Sequence, residues 1–258
     1  MSNSRITRKQ RRSESQSTDR EESQQNNRPS FKSPSFNLKR VNPITENQRK
    51  TFELFDEGKH LLLTGTAGTG KTFLSLYLSL SEMMLPDCEQ NKIYIIRSVV
   101  PTRDMGFLPG NQKEKMKVYE APYYGICTEL YGRSDAYEIL KQKNAVEFMS
   151  TSFVRGITMN DCFVIVDEMQ NMTASELHSV FTRIGERCRV IFSGDLKQND
   201  LGNGREKSGF ADFIKVLNRM PKVGSVEFNR NDIVRSQLLK EYIITREVLE
   251  ESGSIAKL

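Results

Sequence analysis

The sequence predicts an α/β protein: one parallel sheet with helices on both faces, a P-loop (RecA-like) single lobe, preceded by a disordered basic tail. Three observations carry this. Short apolar runs at 61–63, 93–97, 163–166, 190–193 and 225–228 alternate with stretches that read as helix, the pattern of units feeding a parallel sheet. The first run leads straight into a glycine-rich turn at 65–72 and then a helix. Residues 1–36 are rich in Ser, Gln, Asn and Arg with almost no apolar side chains, so burial there cannot offset the entropy of ordering. The tail is thus set apart from one domain at 37–258.

Charge follows the same division. The 258 residues carry a formal net charge of +5. Ten Lys/Arg face four Asp/Glu within residues 1–40, which leaves the remainder close to neutral. The basic excess does not by itself make the folded part a nucleic-acid binder. No apolar run nears the ~20 residues of a membrane span, and the charged start has no apolar core behind it, as a signal peptide requires. Cys88, Cys127, Cys162 and Cys188 are widely spaced with no CxxC. That argues against a zinc site or a disulfide framework and fits a reducing cytoplasm. With only His60 and His178, a multi-histidine metal site is effectively excluded, and neither histidine is expected to do chemistry.

The elements follow in order. Thr45 with Gln48 reads as a capping box opening a helix that stops near Gly58. Residues 61–63 form a buried strand. A helix at 73–85 is stopped by Pro86, and 93–97 is the second strand. A turn-rich stretch with Pro101, Gly106, Pro109 and Gly110 precedes a Lys/Tyr-rich segment at 112–131. Strand 163–166 is followed by a second capping box, Thr173 with Glu176, whose helix ends at Gly185. Strand 190–193, helix 210–220, strand 225–228 and a closing helix at 232–249 complete the chain. The five strands, numbered by appearance, are expected in the order 5-1-4-3-2. Strands 163–166 and 190–193 must be adjacent for their polar ends to meet one phosphate.

Three motifs carry chemistry. Gly65, Thr66, Ala67, Gly68, Thr69, Gly70, Lys71 and Thr72 fit GxxxxGK[ST], the Walker A pattern, between a strand and a helix. Glycines let backbone N–H groups turn inward around phosphate oxygens, and the helix points its positive end at them. Lys71 reaches the β- and γ-phosphates of ATP, and Thr72 offers its hydroxyl to Mg2+. The second motif is the apolar strand ending in Asp167 and Glu168, a Walker B pattern. At the carboxyl edge of a parallel sheet ligands bind. There Asp167 would hold Mg2+ through water, and Glu168 would deprotonate the attacking water. The third is Ser193, Gly194, Asp195 and on to Gln198, again at a strand end, where Gln198 could read the γ-phosphate. Gly-Asp and Asn-Asp also favour ordinary turns.

These residues resemble the PhoH-like family of P-loop ATPases, which are similar to one motor lobe of superfamily 1 helicases. The resemblance is carried by 65–72, 106–110, Arg155-Gly156 before Asn160-Asp161, 164–171, 181–185, 193–201 and the stretch from Asp232 to Arg235. It implies ATP hydrolysis, with work on single-stranded nucleic acid, RNA before DNA. The chain shows no added nuclease or RNA-binding domain. A chain with little beyond the ATPase would suit a bacteriophage-encoded member. One lobe lacks the arginine that a second lobe supplies to the γ-phosphate, so a homo-oligomeric ring, most simply a hexamer, is expected. An arginine from a neighbour then stabilises the transition state. Arg235 is the first choice, with Arg155 and Arg183 behind it. A helix-start salt bridge is the plainer role for Arg235.

Other features admit two readings. Gln48 either reads adenine or returns to the Thr45 N–H within the capping box. Lys113, Lys115, Lys117, Tyr119, Tyr123, Tyr124 and Tyr131 interleave charge with rings, as in single-strand binding. They also fit a solvated helix whose tyrosines meet another subunit. Arg5, Arg8, Lys9, Arg11 and Arg12 either hold nucleic-acid phosphates or belong to a solvated leader. Against the ATPase stand an ATP-binding regulatory or assembly protein with slow hydrolysis, and a small-molecule kinase. Glu168 beside Asp167 favours water as the acceptor over a kinase substrate.

Overall fold

The computed structural model describes residues 36–99, 112–195 and 204–255. Gln198, the stretch 106–110 and the tail arginines lie outside these residues. The described residues form a six-stranded sheet of β1 (His60–Gly65), β2 (Lys92–Arg97), β3 (Val146–Ser150), β4 (Cys162–Val166), β5 (Arg189–Ser193) and β6 (Val223–Phe228). Every pairing is parallel, in the order β3-β2-β4-β5-β1-β6. The expected five-strand order is present intact, with one further strand at the edge.

Alternation along the strands divides the core. Leu61, Leu63, Ile93, Ile95, Phe163, Ile165 and Ile191 face one side. There they meet α1 (Glu46–Asp56), α2 (Lys71–Met83), α3 (Gln112–Tyr131) and α4 (Ala136–Gln142). Leu62, Ile96, Val164, Val166, Val190 and Phe192 face the other, under α5 (Ala174–Phe181) and α6 (Gly204–Arg219). Successive side chains of a strand point to opposite faces, so a strand covered on both sides must be apolar throughout. β4 is buried at all five positions.

The additional elements α4 and β3 are short. β3 is an edge strand bonded only to β2, and its Glu147 pairs with Lys92 at 2.5 Å. A charge inside a five-residue edge strand hides it from a search for continuous apolar runs. The Thr173 capping box is complete, with both reciprocal bonds made. Its helix ends at Phe181, before the expected Gly185. There the chain turns into a parallel bridge between Met159 and Ile184. The expected closing helix is divided. Asp232 accepts from Asn229 N–H at 2.9 Å and from Asn47 Nδ2 at 2.6 Å, tying its turn to α1. α7 (Gln237–Glu251) starts afresh with Ser236 as its cap.

Phe36, the last residue assigned to the tail, is a core residue: it stacks on Tyr131 at 4.3 Å. Among the described residues no helix is long and apolar enough to cross a membrane.

Candidate functional site

The site forms at the carboxyl ends of β1, β4 and β5. β1 runs into the glycine turn beneath β6. A Cβ on Gly65, whose φ is +107°, would stand 2.0 Å from the Phe228 carbonyl oxygen, so only glycine allows this approach. The turn delivers Lys71 to the first position of α2. Its Nζ donates to the carbonyls of Gly65 at 2.7 Å and Thr66 at 2.8 Å, and to Thr69 Oγ1 at 3.5 Å. Burial lowers the Lys71 pKa, while Asp195, Glu168 and Asp167 act through space to raise it.

Thr72 and Asp167, 95 residues apart, meet directly. Thr72 Oγ1 donates to Asp167 Oδ1 at 2.8 Å, and Ser193 Oγ donates to the same oxygen at 2.7 Å. The other carboxylate oxygen, Oδ2, accepts from Tyr123 OH at 2.8 Å. Asp167 is only 2% exposed. Burial, with the Asp167 charge second, holds the Tyr123 phenol well above its ordinary pKa, so it is a donor.

Glu168 sits in the left-handed backbone region at φ +51°. Gln170 Nε2 donates to its Oε2 at 2.5 Å, and Gln170 Oε1 accepts from Asp195 N–H at 3.0 Å. One buried amide thus ties the carboxylate after β4 to the backbone after β5. A Cβ on Gly194 would meet Gln170 Oε1 at 2.5 Å and Met169 Cγ at 2.8 Å, so a larger residue there would displace these side chains.

The remaining candidates are placed as follows. Gln48 is buried, accepts from Ile44 N–H at 3.0 Å and donates to the Thr69 carbonyl at 3.4 Å. It joins α1 to the glycine turn. The Thr45 hydroxyl accepts from Gln48 N–H at 3.3 Å, but the return bond of the expected capping box goes to Ile44 instead of Thr45. Arg235, expected to act across a subunit boundary, lies against the turn of its own chain. A Cβ on Gly68 would stand 3.1 Å from its Cγ. Val234 N–H donates to the Gly68 carbonyl at 3.1 Å and holds it there. Arg155 is exposed beyond β3. Arg183 precedes β5, at the opposite edge of the sheet.

The tyrosines of α3 are divided, with Tyr119 and Tyr124 half-buried and Arg97 over the Tyr119 ring at 5.9 Å. Tyr123 and Tyr131 are buried, and Tyr124 donates to Glu138 of α4. A helix laid on an apolar sheet face turns its rings inward, which is where their burial is most favourable.

A cavity of about 1110 Å³ is lined by Gln48, Gly68, Gly70, Lys71, Thr72, Arg97, Asp167, Glu168, Asp195 and Arg235, among others. Among the described residues no group of three or more His, Cys, Asp or Glu could hold a metal by itself. The donors present are a threonine hydroxyl and a carboxylate. They suit a hard cation such as Mg2+, which takes one or two protein oxygens and draws the rest from phosphate and water. The sequence reading gave Tyr123, Gln170, Ser193 and Glu247 no role beside the phosphate turn. Glu247 of α7 accepts from the Thr66 hydroxyl at 3.0 Å and pairs with Arg230 at 2.6 Å. Gln170 and Ser193 lie inside the motifs; Tyr123 was singled out only as a ring for single strands or another subunit, and Glu247 carries no local signal.

Comparison with known proteins places the chain in a family. The family model described as "PhoH-like protein" matches residues 40–246. A PhoH-like protein of Mycobacterium tuberculosis (strain ATCC 25618 / H37Rv) is 32% identical over 219 residues, covering 84% of this chain and 60% of the relative. Protein PhoH of Escherichia coli (strain K12) is 36% identical over 185 residues, covering 70% and 51%. The chain therefore spans less than two thirds of the length of these relatives. Among solved structures, the large terminase of a thermophilic bacteriophage aligns with a TM-score of 0.48 at 13% identity, covering 78% of this chain and 50% of that one. Bacteroides Pif1 bound to ssDNA aligns at 0.34 and 14% identity, covering 81% and 49%.

Proposed function

The chain belongs to the PhoH-like family, and from that premise we propose that it is a Mg2+-dependent ATPase that remodels single-stranded nucleic acid, RNA before DNA. The observation that supports this most is the meeting of Thr72 Oγ1 and Asp167 Oδ1 at 2.8 Å. Lys71 heads the same helix and Glu168 follows Asp167. In this reading the turn from Gly65 to Gly70 wraps the phosphates with its N–H groups, and Lys71 meets the β- and γ-phosphates. Thr72 and Asp167 are the residues that would hold Mg2+, which supplies positive charge to the phosphoryl oxygens when bound. Glu168, oriented by Gln170, takes the proton of the attacking water. Gln198 reports on the γ-phosphate. Gln48 steadies the glycine turn beside the base.

Arg235 is assigned to the phosphates of its own chain, supported by its contact with Gly68. A hexameric ring stays part of the proposal, with exposed Arg155 as the arginine offered to a neighbour. The basic tail holds nucleic-acid backbone, and the free thiols suit a cytoplasmic protein. A second reading, an ATP-binding regulatory protein without a nucleic-acid substrate, is favoured by the burial of Tyr123 and Tyr131.

The test is the rate of phosphate release with and without single-stranded RNA, single-stranded DNA and duplex, for wild type and Lys71→Ala. The proposal expects hydrolysis that Lys71→Ala abolishes and that single-stranded RNA raises most. Hydrolysis indifferent to every nucleic acid supports the second reading. Full hydrolysis by Lys71→Ala removes the site assignment.

A further inference from the structure

The metal-facing carboxylate is oriented from an unexpected direction. Thr72 and Ser193 both bond Oδ1 of Asp167. Two bonds to one oxygen leave the carboxylate plane poorly fixed, because the terminal torsion of aspartate is broad and roughly two-fold. The third bond settles it. Tyr123 OH reaches Oδ2 at 2.8 Å from α3, an element that contributes nothing to the phosphate turn.

Tyr123 is itself held. It is 1% exposed, and its ring packs near Phe148 at 5.8 Å and Tyr137 at 6.4 Å. The neighbouring Tyr124 has a separate task, since it bonds Glu138 and never approaches the site. We propose that Tyr123 is a positioning residue of the nucleotide–metal site: through its hydroxyl, α3 fixes the Asp167 carboxylate so that Thr72 and Asp167 face Mg2+ together. This rests on the Mg2+–ATP reading of the site. It has a functional consequence. Any partner or ligand that shifts α3 changes the metal affinity of the site without touching the phosphate turn.

Tyr123→Phe keeps the ring and removes the hydroxyl. Tyr137→Phe is the control, since it loses a buried hydroxyl in the same ring cluster, one that bonds Glu120 at 3.2 Å and not Asp167. The readout is equilibrium binding of a fluorescent ATP analogue, first in EDTA and then over a Mg2+ titration, with no turnover required. A hydrogen bond to a charged group is worth about a factor of 10 or more in an equilibrium constant. Tyr123→Phe is therefore expected to bind the analogue in EDTA within about twofold of wild type and to need ~10-fold more Mg2+ for half of the metal-dependent gain. Tyr137→Phe is expected to need the wild-type concentration. An unchanged Mg2+ requirement in Tyr123→Phe overturns the proposal, as does an equal shift in Tyr137→Phe, which would mark general loosening. If the phenylalanine variant does not fold, 3-fluorotyrosine at position 123 keeps the hydroxyl and alters its donor strength. A shifted Mg2+ requirement is then expected, and one identical to wild type overturns the proposal. Wild type that gains nothing from Mg2+ fails the underlying site reading itself, which separates the two.

Discussion

Strand β4 has an aspartate just beyond each end, and the two are opposites. Asp161, before the amino end, is paired with Arg187 and partly exposed. That guanidinium holds its carboxyl below the usual carboxylate range. Asp167, after the carboxyl end, is buried and bonded by three neutral hydroxyls. A carboxylate closed by a cation is finished as a piece of structure. Asp167 instead is closed by hydroxyls, with the Lys71 ammonium near enough to act on it through space. Asp167 lines the cavity at the carboxyl edge of the sheet, whereas Asp161 is held in an ion pair at the amino edge.

The contrast can be broken most sharply by removing each carboxylate in turn. Asp167→Ala should lower ATP turnover by roughly 10³-fold or more, the scale of losing charge stabilisation at a phosphoryl group. Asp161→Ala should leave turnover unchanged. Equal losses in phosphate-release assays would show that the two ends of β4 do not differ as described. A smaller effect is expected at the adjacent carboxylate. Glu168→Gln keeps a polar side chain and loses basicity, so turnover should fall by about 10²–10⁴-fold while ATP binding persists. Filter binding of labelled ATP by this variant checks both halves, and a normal rate would remove Glu168 as the base.

The smallest effect belongs to the amino edge. The Asp161 pKa is depressed in the folded chain by Arg187. Its contribution to stability is therefore present above the unfolded carboxylate range and lost as pH falls through the folded value. Arg187→Ala should lower the urea midpoint slightly at neutral pH, with the difference from wild type fading below about pH 4. A difference that grows in acid would mean the pair is not what sets this carboxyl.

Much of this was legible in the chain. The turn at 65–72, the strand ending in Asp167 and Glu168, and the order of five strands were all readable, because each rests on contiguous residues with a fixed period or spacing. Gln198 lies outside the described residues. The capping role of Thr173 was local and was found complete. That of Gln48 was redirected, because a buried amide serves whichever backbone groups the packing presents. The edge strand β3 was hidden by its charge, and Phe36 by its polar surroundings.

What the sequence determined by itself is the α/β framework with its glycine-rich turn after β1, and the placing of Lys71, Thr72, Asp167 and Glu168 at the carboxyl edge of one sheet. Only the tertiary structure decided that Tyr123 turns inward to hold Asp167, that Gln170 links Glu168 to Asp195, and that Arg235 lies on its own glycine turn. The physical reason is range. Backbone turns, caps and strand periods are set within a few residues. The direction of a side chain such as Tyr123 is set by which sheet face its helix covers, and that depends on strands tens of residues away.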